Sequence, residues 1–132
     1  MGIEKVCQFL KDAGTYFLAT AEGDQPRVRP FGAVDLYEGR IYFQTGKKKD
    51  VSRQLQANGK VEICAYDGSR WLRFAATAVE DPRIEAQAHF LDAYPSLKSM
   101  YQPGDGNTVV FWLRDAAATF SSFTEAPKTV RF

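Results

Sequence analysis

The stretch YFQTGKKKDVSRQL, Tyr42 to Leu55, passes from one kind of structure to another. Apolar and polar side chains alternate up to Thr45, as in a strand. Thr45-Gly46 turns the chain, and Lys47, Lys48 and Lys49 follow. Asp50 reads as an N-cap, and Val51, Leu55 and the Asn58-Gly59 stop outline a short helix. Three readings of the lysines compete. In one they form a solvated turn that keeps the surface soluble. In another they contact nucleic acid, but no second basic cluster or aromatic-interleaved basic face supports this. In the third they form an anion site. A helix start offers free N–H groups and the positive end of the helix dipole, Thr45 and Ser52 add hydroxyls, and lysines add point charge. Asp50 counts against this reading, because its carboxylate competes for the same N–H groups.

Upstream, Ile3, Val6, Leu10 and Ala13 recur at helical spacing, Phe9 widens the apolar face, and Gly14 can end the helix. TYFLATA then reads as a buried strand, and EGDQP as a turn. RVRPFGAVDL is a second strand, interrupted by Pro30 and Gly32. Proline cannot donate to a ladder, so Pro30 marks an edge, a bulge or a functional kink. Arg27 and Arg29 share one face of it. If this strand pairs with RIYFQT around Glu38-Gly39, Arg29 falls near the lysine turn, where an arginine completes a phosphate cradle.

Downstream, KVEICAY and RWLRFAATAVE read as strands four and five, joined by a tight turn. Asp81-Pro82 reads as an N-cap and first helical position. The helix runs to Pro95, and PSLKSMY adds a turn. TVVFWL and AATFSSF are two further strands joined at RDA, and the polar tail TEAPKTVRF is loosely held. About seven strands in adjacent pairs, with three short helices and no strand–helix alternation, point to an antiparallel barrel with helices packed on it.

The 132 residues suit one domain, 1–132, with no repeats or linker. Seventeen Lys plus Arg against sixteen Asp plus Glu leave a weak overall field, which argues against a nucleic-acid binder. Cys7 and Cys64 read as buried free thiols. A lone histidine, His89, and scattered cysteines make no zinc site. No apolar run reaches a membrane span, and the acid-bearing start MGIEKVCQFLKDAG is not a signal peptide, so a cytoplasmic protein is expected. No Ser-His-Asp set or carboxylate pair supports hydrolysis.

From Tyr16 to Tyr66 the chain resembles the pyridoxamine 5′-phosphate oxidase-like family, the FMN-binding split β-barrels. The likeness rests on the strand YFLATA, the VRPF strand, the YFQT strand, the basic turn, the QLQANGKV helix end and the next strand. RWLRFAATAVED and ATFSSFTEAP resemble its small general-stress and nitroimidazole-resistance-like members. The resemblance implies a homodimer with two FMN molecules at the subunit interface. By position, Arg29, Pro30 and Phe31 would run along the flavin, Gln44 and Thr45 would hold the ring edge or ribityl chain, and Lys48, Lys49 and Ser52 would take the phosphate, with Lys49 foremost. The family's Ser-x-Lys pattern is replaced by Lys49-Asp50-Val51. The family's oxidases also carry a C-terminal segment with arginine and histidine. TEAPKTVRF has only Arg131 and no histidine, so vitamin B6 oxidation is not expected. Two functions remain: an FMN-dependent oxidoreductase that reduces a small organic acceptor, and a non-catalytic protein that binds, stores or senses flavin, heme or F420. Trp71 and Trp112 suit core or interface anchors as well as flavin contacts. Tyr94, Met100 and Tyr101 are expected in a packed helix end rather than a ligand pocket.

Overall fold

Residues 2–132 are described in the computed structural model. The elements run α1 (Gly2–Ala13), β1 (Tyr16–Glu22), β2 (Gln25–Phe31), β3 (Asp35–Tyr37), β4 (Arg40–Gly46), α2 (Asp50–Ala57), β5 (Lys60–Tyr66), β6 (Arg70–Asp81), α3 (Ile84–Ala93), a 3₁₀ turn (Pro95–Ser99), β7 (Thr108–Ser122) and β8 (Lys128–Arg131). All strands join one antiparallel sheet in the order β2-β1-β5-β6-β7-β4-β3, with β8 also on β7. The expected barrel does not close, because the path ends at β2 and β3. Those two edges are joined by residues 32–34 alone. A trans chain spans at most ~3.6 Å per residue, so Phe31 and Asp35 lie within about 14 Å. The sheet therefore curls until its edges nearly meet, and a seam remains.

The expected pairing of the Arg29 strand with β4 is wrong. Two strands form where one was expected: residues 32–34 separate them, and Pro30 stays within β2, opposite Phe17. β2 folds back on β1, with Arg29 opposite Leu18, and only Asp35–Tyr37 pairs with β4. The two strands expected around RDA are one. Thr77 pairs with Arg114 but Ala75 pairs with Ala117, so β7 carries one extra residue there, and Asp115 adopts φ +53°. That is a bulge, which bends a strand without ending it. The tail is not loose either. Lys128–Arg131 pairs with Phe120–Ala117, and Phe132 exchanges backbone hydrogen bonds with Ala116 at 2.7 and 3.0 Å.

The core lies inside the curl. Leu18, Ile41, Phe43, Ile63, Leu72, Phe74 and Ala118 point inward, and α1 plugs it with Val6 and Leu10. Fully burying each such aliphatic or aromatic side chain contributes roughly 1.5–3 kcal/mol. β4 is buried on both faces. Its other side, Tyr42, packs with Val110 under Ala86 and Phe90 of α3. Alternation along β5 turns Cys64 outward, so it is exposed, contrary to the expectation from its apolar neighbours; Cys7 is buried, and both thiols are free. The α3 N-cap is Arg83 rather than Asp81, which ends β6. No helix among the described residues is long and apolar enough to cross a membrane.

Candidate functional site

The seam between β2 and β3 opens into a cleft of about 250 Å³. Arg29, Pro30 and Phe31 of β2 form one side, Gln44 and Thr45 of β4 the floor, and Lys49 one end. Gly32 and Ala33 of the link, with Leu97, Met100 and Tyr101 after α3, complete it. Met100 and Tyr101 therefore line a ligand-sized space, contrary to the packed-helix-end expectation. The 3₁₀ turn swings them back over β4, and no local pattern signals that return.

A second, more open cavity of about 720 Å³ adjoins the cleft and shares Arg29, Lys49 and Val51 with it. Lys48, Arg27 and Asp50 also line it. Ser52, expected as a phosphate ligand, is buried and lines neither cavity; its N–H bonds Lys49 O at 3.1 Å.

The start of α2 sits at this junction. Lys49, not Asp50, is its N-cap residue, with φ −81° and ψ 151°, and no side chain caps it. Lys49 N bonds Gly46 O and Ser52 N bonds Lys49 O, which leaves the N–H groups of Asp50 and Val51 without an intrahelical acceptor. Asp50 does not compete for them, because its Oδ1 accepts from Arg53 Nη1 at 2.7 Å. Arg53 also pairs with Glu22, which pairs with Arg27. These neighbours hold the Asp50 and Glu22 carboxyls below their ordinary values, Arg53 through hydrogen bonds being the first cause for each. The local acids are thus occupied by arginines. Lys48 and Lys49 form no ion pair among the described residues.

Arg29 is held from behind. Its Nη1 donates to Leu18 O at 3.1 Å and Thr20 Oγ1 at 2.9 Å, and its Nη2 donates to Gln54 Oε1 at 2.7 Å. Thr20 Oγ1 also donates to Gln54 Oε1 at 2.6 Å. Burial lowers the guanidinium's pKa, against the opposing field of Asp50. The group stays charged, since arginine does not deprotonate in proteins. Gln54 is a positioning residue that sequence reasoning missed; its signal was a polar residue on the buried face of a short helix.

Three further contacts fix the walls. Tyr16 Oη donates to Ala33 O at 2.6 Å, and Tyr94 Oη donates to Val34 O at 2.7 Å while accepting from Val34 N at 3.1 Å. The link that crosses the seam is clamped by two tyrosines. Asn107 holds the lysine turn: its carbonyl accepts from Lys47 N at 2.7 Å and its Oδ1 from Lys48 N at 3.3 Å. Trp71 and Trp112 lie elsewhere, against Phe123 and beneath Arg40. His89 stacks on Tyr37, with Nδ1 3.2 Å from Asp35 Oδ2.

The fold that carries this cleft is one that known proteins share. The pyridoxamine 5′-phosphate oxidase pattern matches residues 3–122. The chain belongs to that family. Among solved structures, a NimC/NimA family protein from Clostridium acetobutylicum is 39% identical and superposes with a TM-score of 0.93, over 98% of this chain and 94% of that one. General stress protein 26 from Bacillus anthracis str. Sterne matches over 100% of both chains, with a TM-score of 0.77 at 16% identity. An F420 reductase matches over 86% of this chain and 94% of that one, with a TM-score of 0.64 at 20% identity. These last two show a shared fold. A comparison with curated proteins gives no match.

Proposed function

We propose that this protein binds FMN in the seam cleft and acts as an oxidoreductase on a small organic acceptor. The observation that carries this reading is the convergence of the apolar slot on the α2 start. Pro30, Phe31, Ala33 and Tyr101 offer surfaces that suit a flat ring. Lys48, Lys49 and the uncapped helix N–H groups suit a dianionic phosphate, and Arg29 adds charge from the side. The donor set therefore fits the group. FMN, when bound, supplies the electron transfer; the protein supplies orientation and electrostatics. Family membership supports a flavin or a related cofactor, and the likeness to an F420 reductase keeps F420 within the same slot.

A homodimer completes this reading. One chain's cleft, about 250 Å³, falls below the roughly 300–1,000 Å³ typical of small-molecule sites. The outer face of β1 and β2 beside it is apolar: Phe17 is 48% exposed and Val28 67%, and Phe17 pairs with Pro30 of the cleft wall. A second copy on this face would cover the open side. Vitamin B6 oxidation is not part of the proposal, since β8 and Arg131 are zipped to β7 and line no part of the cleft.

Absorption spectra of the purified protein, before and after addition of FMN and desalting, test the binding. Retained flavin bands are expected. Lys48→Ala with Lys49→Ala should weaken FMN binding about tenfold or more, since charge-assisted contacts contribute about 1.5–3 kcal/mol each. Unchanged affinity would place the phosphate elsewhere. Turnover of NAD(P)H with quinone or nitro acceptors above that of free FMN separates an enzyme from a flavin-storing protein.

A further inference from the structure

Away from the seam, α1, β6, β7 and β8 enclose a groove of about 480 Å³. It shares no lining residue with the cleft or its neighbouring cavity. Its volume lies within the range of small-molecule sites. The floor is aromatic: Phe9 and Phe120 meet edge to face with centroids 5.5 Å apart, and Val130 flanks them. The rim is cationic. Lys5, Arg70 and Lys128 line it against one carboxylate, Asp12, and Arg70 also pairs with Asp67 at 3.6 Å. Gln8 already donates to Asp12 Oδ1 at 2.7 Å. Lys5 and Lys128 form no ion pair among the described residues. Arg70 lies 5.3 Å from the Phe9 centroid and 6.0 Å from that of Phe120, roofing the same rings.

An apolar floor under a surplus of free positive charge selects an amphipathic anion. A neutral aromatic ligand would leave the two ammonium groups unanswered, and a cation would be repelled. We propose that this groove binds a small arylalkanoate, with its ring against Phe9 and Phe120 beside Arg70 and its carboxylate between Lys5 and Lys128. Ring-on-ring and cation-over-ring contacts hold the apolar end, and charge-assisted hydrogen bonds hold the other.

Calorimetric titration of the whole protein with 4-phenylbutyrate and its uncharged amide tests this. The carboxylate should bind, and the amide should bind about tenfold more weakly or less, given the strength of charge-assisted contacts. Lys5→Glu with Lys128→Glu should abolish carboxylate binding while leaving the melting temperature and FMN affinity of the protein unchanged. Inorganic phosphate should not displace the carboxylate. Equal binding of acid and amide would overturn the proposal, as would binding that survives the double charge reversal, or no binding of the acid at millimolar concentration.

Discussion

Arg29 and Gln54 illustrate how one buried amide can set the geometry of a charged wall. Gln54 Oε1 accepts from both Arg29 and Thr20, so removing it strands two donors. Gln54→Ala should cost about 1–3 kcal/mol in a urea titration, the range for a buried partner left unpaired. It should also weaken flavin binding, while a Gln56→Ala control on the exposed side of α2 does neither. Asp81 offers a second single-residue handle. Arg83 first, and then Tyr42 and the Arg83 backbone, hold its pKa down at about 2, against the opposing effect of burial, and raise that of Arg83. The folded value lies below the unfolded one, so the unfolded chain binds the extra proton between them. The contribution to stability is complete above the ordinary carboxylate value of 3.8 and is lost as pH falls through about 2. At most about 2.5 kcal/mol is involved. The urea midpoint of wild type should exceed that of Asp81→Asn at pH 7, and the gap should shrink toward pH 2. At this scale the residue types of the cleft were legible, because Arg, Pro, Gln, Thr and Lys stand together in two short stretches. Gln54, which braces Arg29, Tyr94, which clamps the link at Val34, and Tyr101, which lines the cleft, were not, because each comes from an element that carries no chemical signature of its own.

Among the elements, the loop between the 3₁₀ turn and β7 does more than connect. Asp105 accepts from the backbone N–H groups of Gln102, Asn107 and Thr108 and from the Thr108 hydroxyl. Those bonds, that of Thr108 N first, hold its carboxyl far below the ordinary range. The ordered loop presents Asn107 to Lys47 and Lys48. Asp105→Ala should therefore loosen the lysine turn from a distance. The expected result is a fall in FMN affinity of several-fold, with faster amide exchange at Lys47 and Lys48 and little change in β4. Proteins with the lysines removed should show no further loss. PGDGN reads as a loop in sequence, and its ordering role is invisible there because it rests on one carboxylate meeting donors two and three residues away. The same limit explains the strand errors. Ladder partners are chosen by distant segments, so the turn at Glu38-Gly39 suggested a longer hairpin than the three pairs that form. At RDA, a bulge and a turn look alike until β6 supplies the register.

For the whole molecule, the seam and the apolar outer face of β1 and β2 meet at Pro30. If a second copy covers both, dimerisation and flavin binding are one equilibrium. Phe17→Glu places a charge on that face without touching the core or either cavity. Sedimentation velocity should then show a monomer where wild type is dimeric, and FMN affinity should fall in parallel. A monomer that keeps full affinity would separate the two events. The helices, most strands and the family were legible from local pattern; the open edge of the sheet was not, since nothing local distinguishes a closed ladder from a curled one.

β7 has a consequence for synthesis. It alone joins β4 and β3 to the other strands, pairing with β6 along one side and with β4 and then β8 along the other. A ribosome adds about 5–20 residues per second, so β4 waits several seconds for its only long partner. Both faces of β4 are buried in the finished protein. In the nascent chain they face water, with nothing but the three residues of β3 to pair against. That segment is the place where a chaperone would bind, and where a stalled or truncated product would aggregate. Maturation of this protein is therefore set late, by a strand made near the end, rather than by the lysine turn that its sequence displays so early.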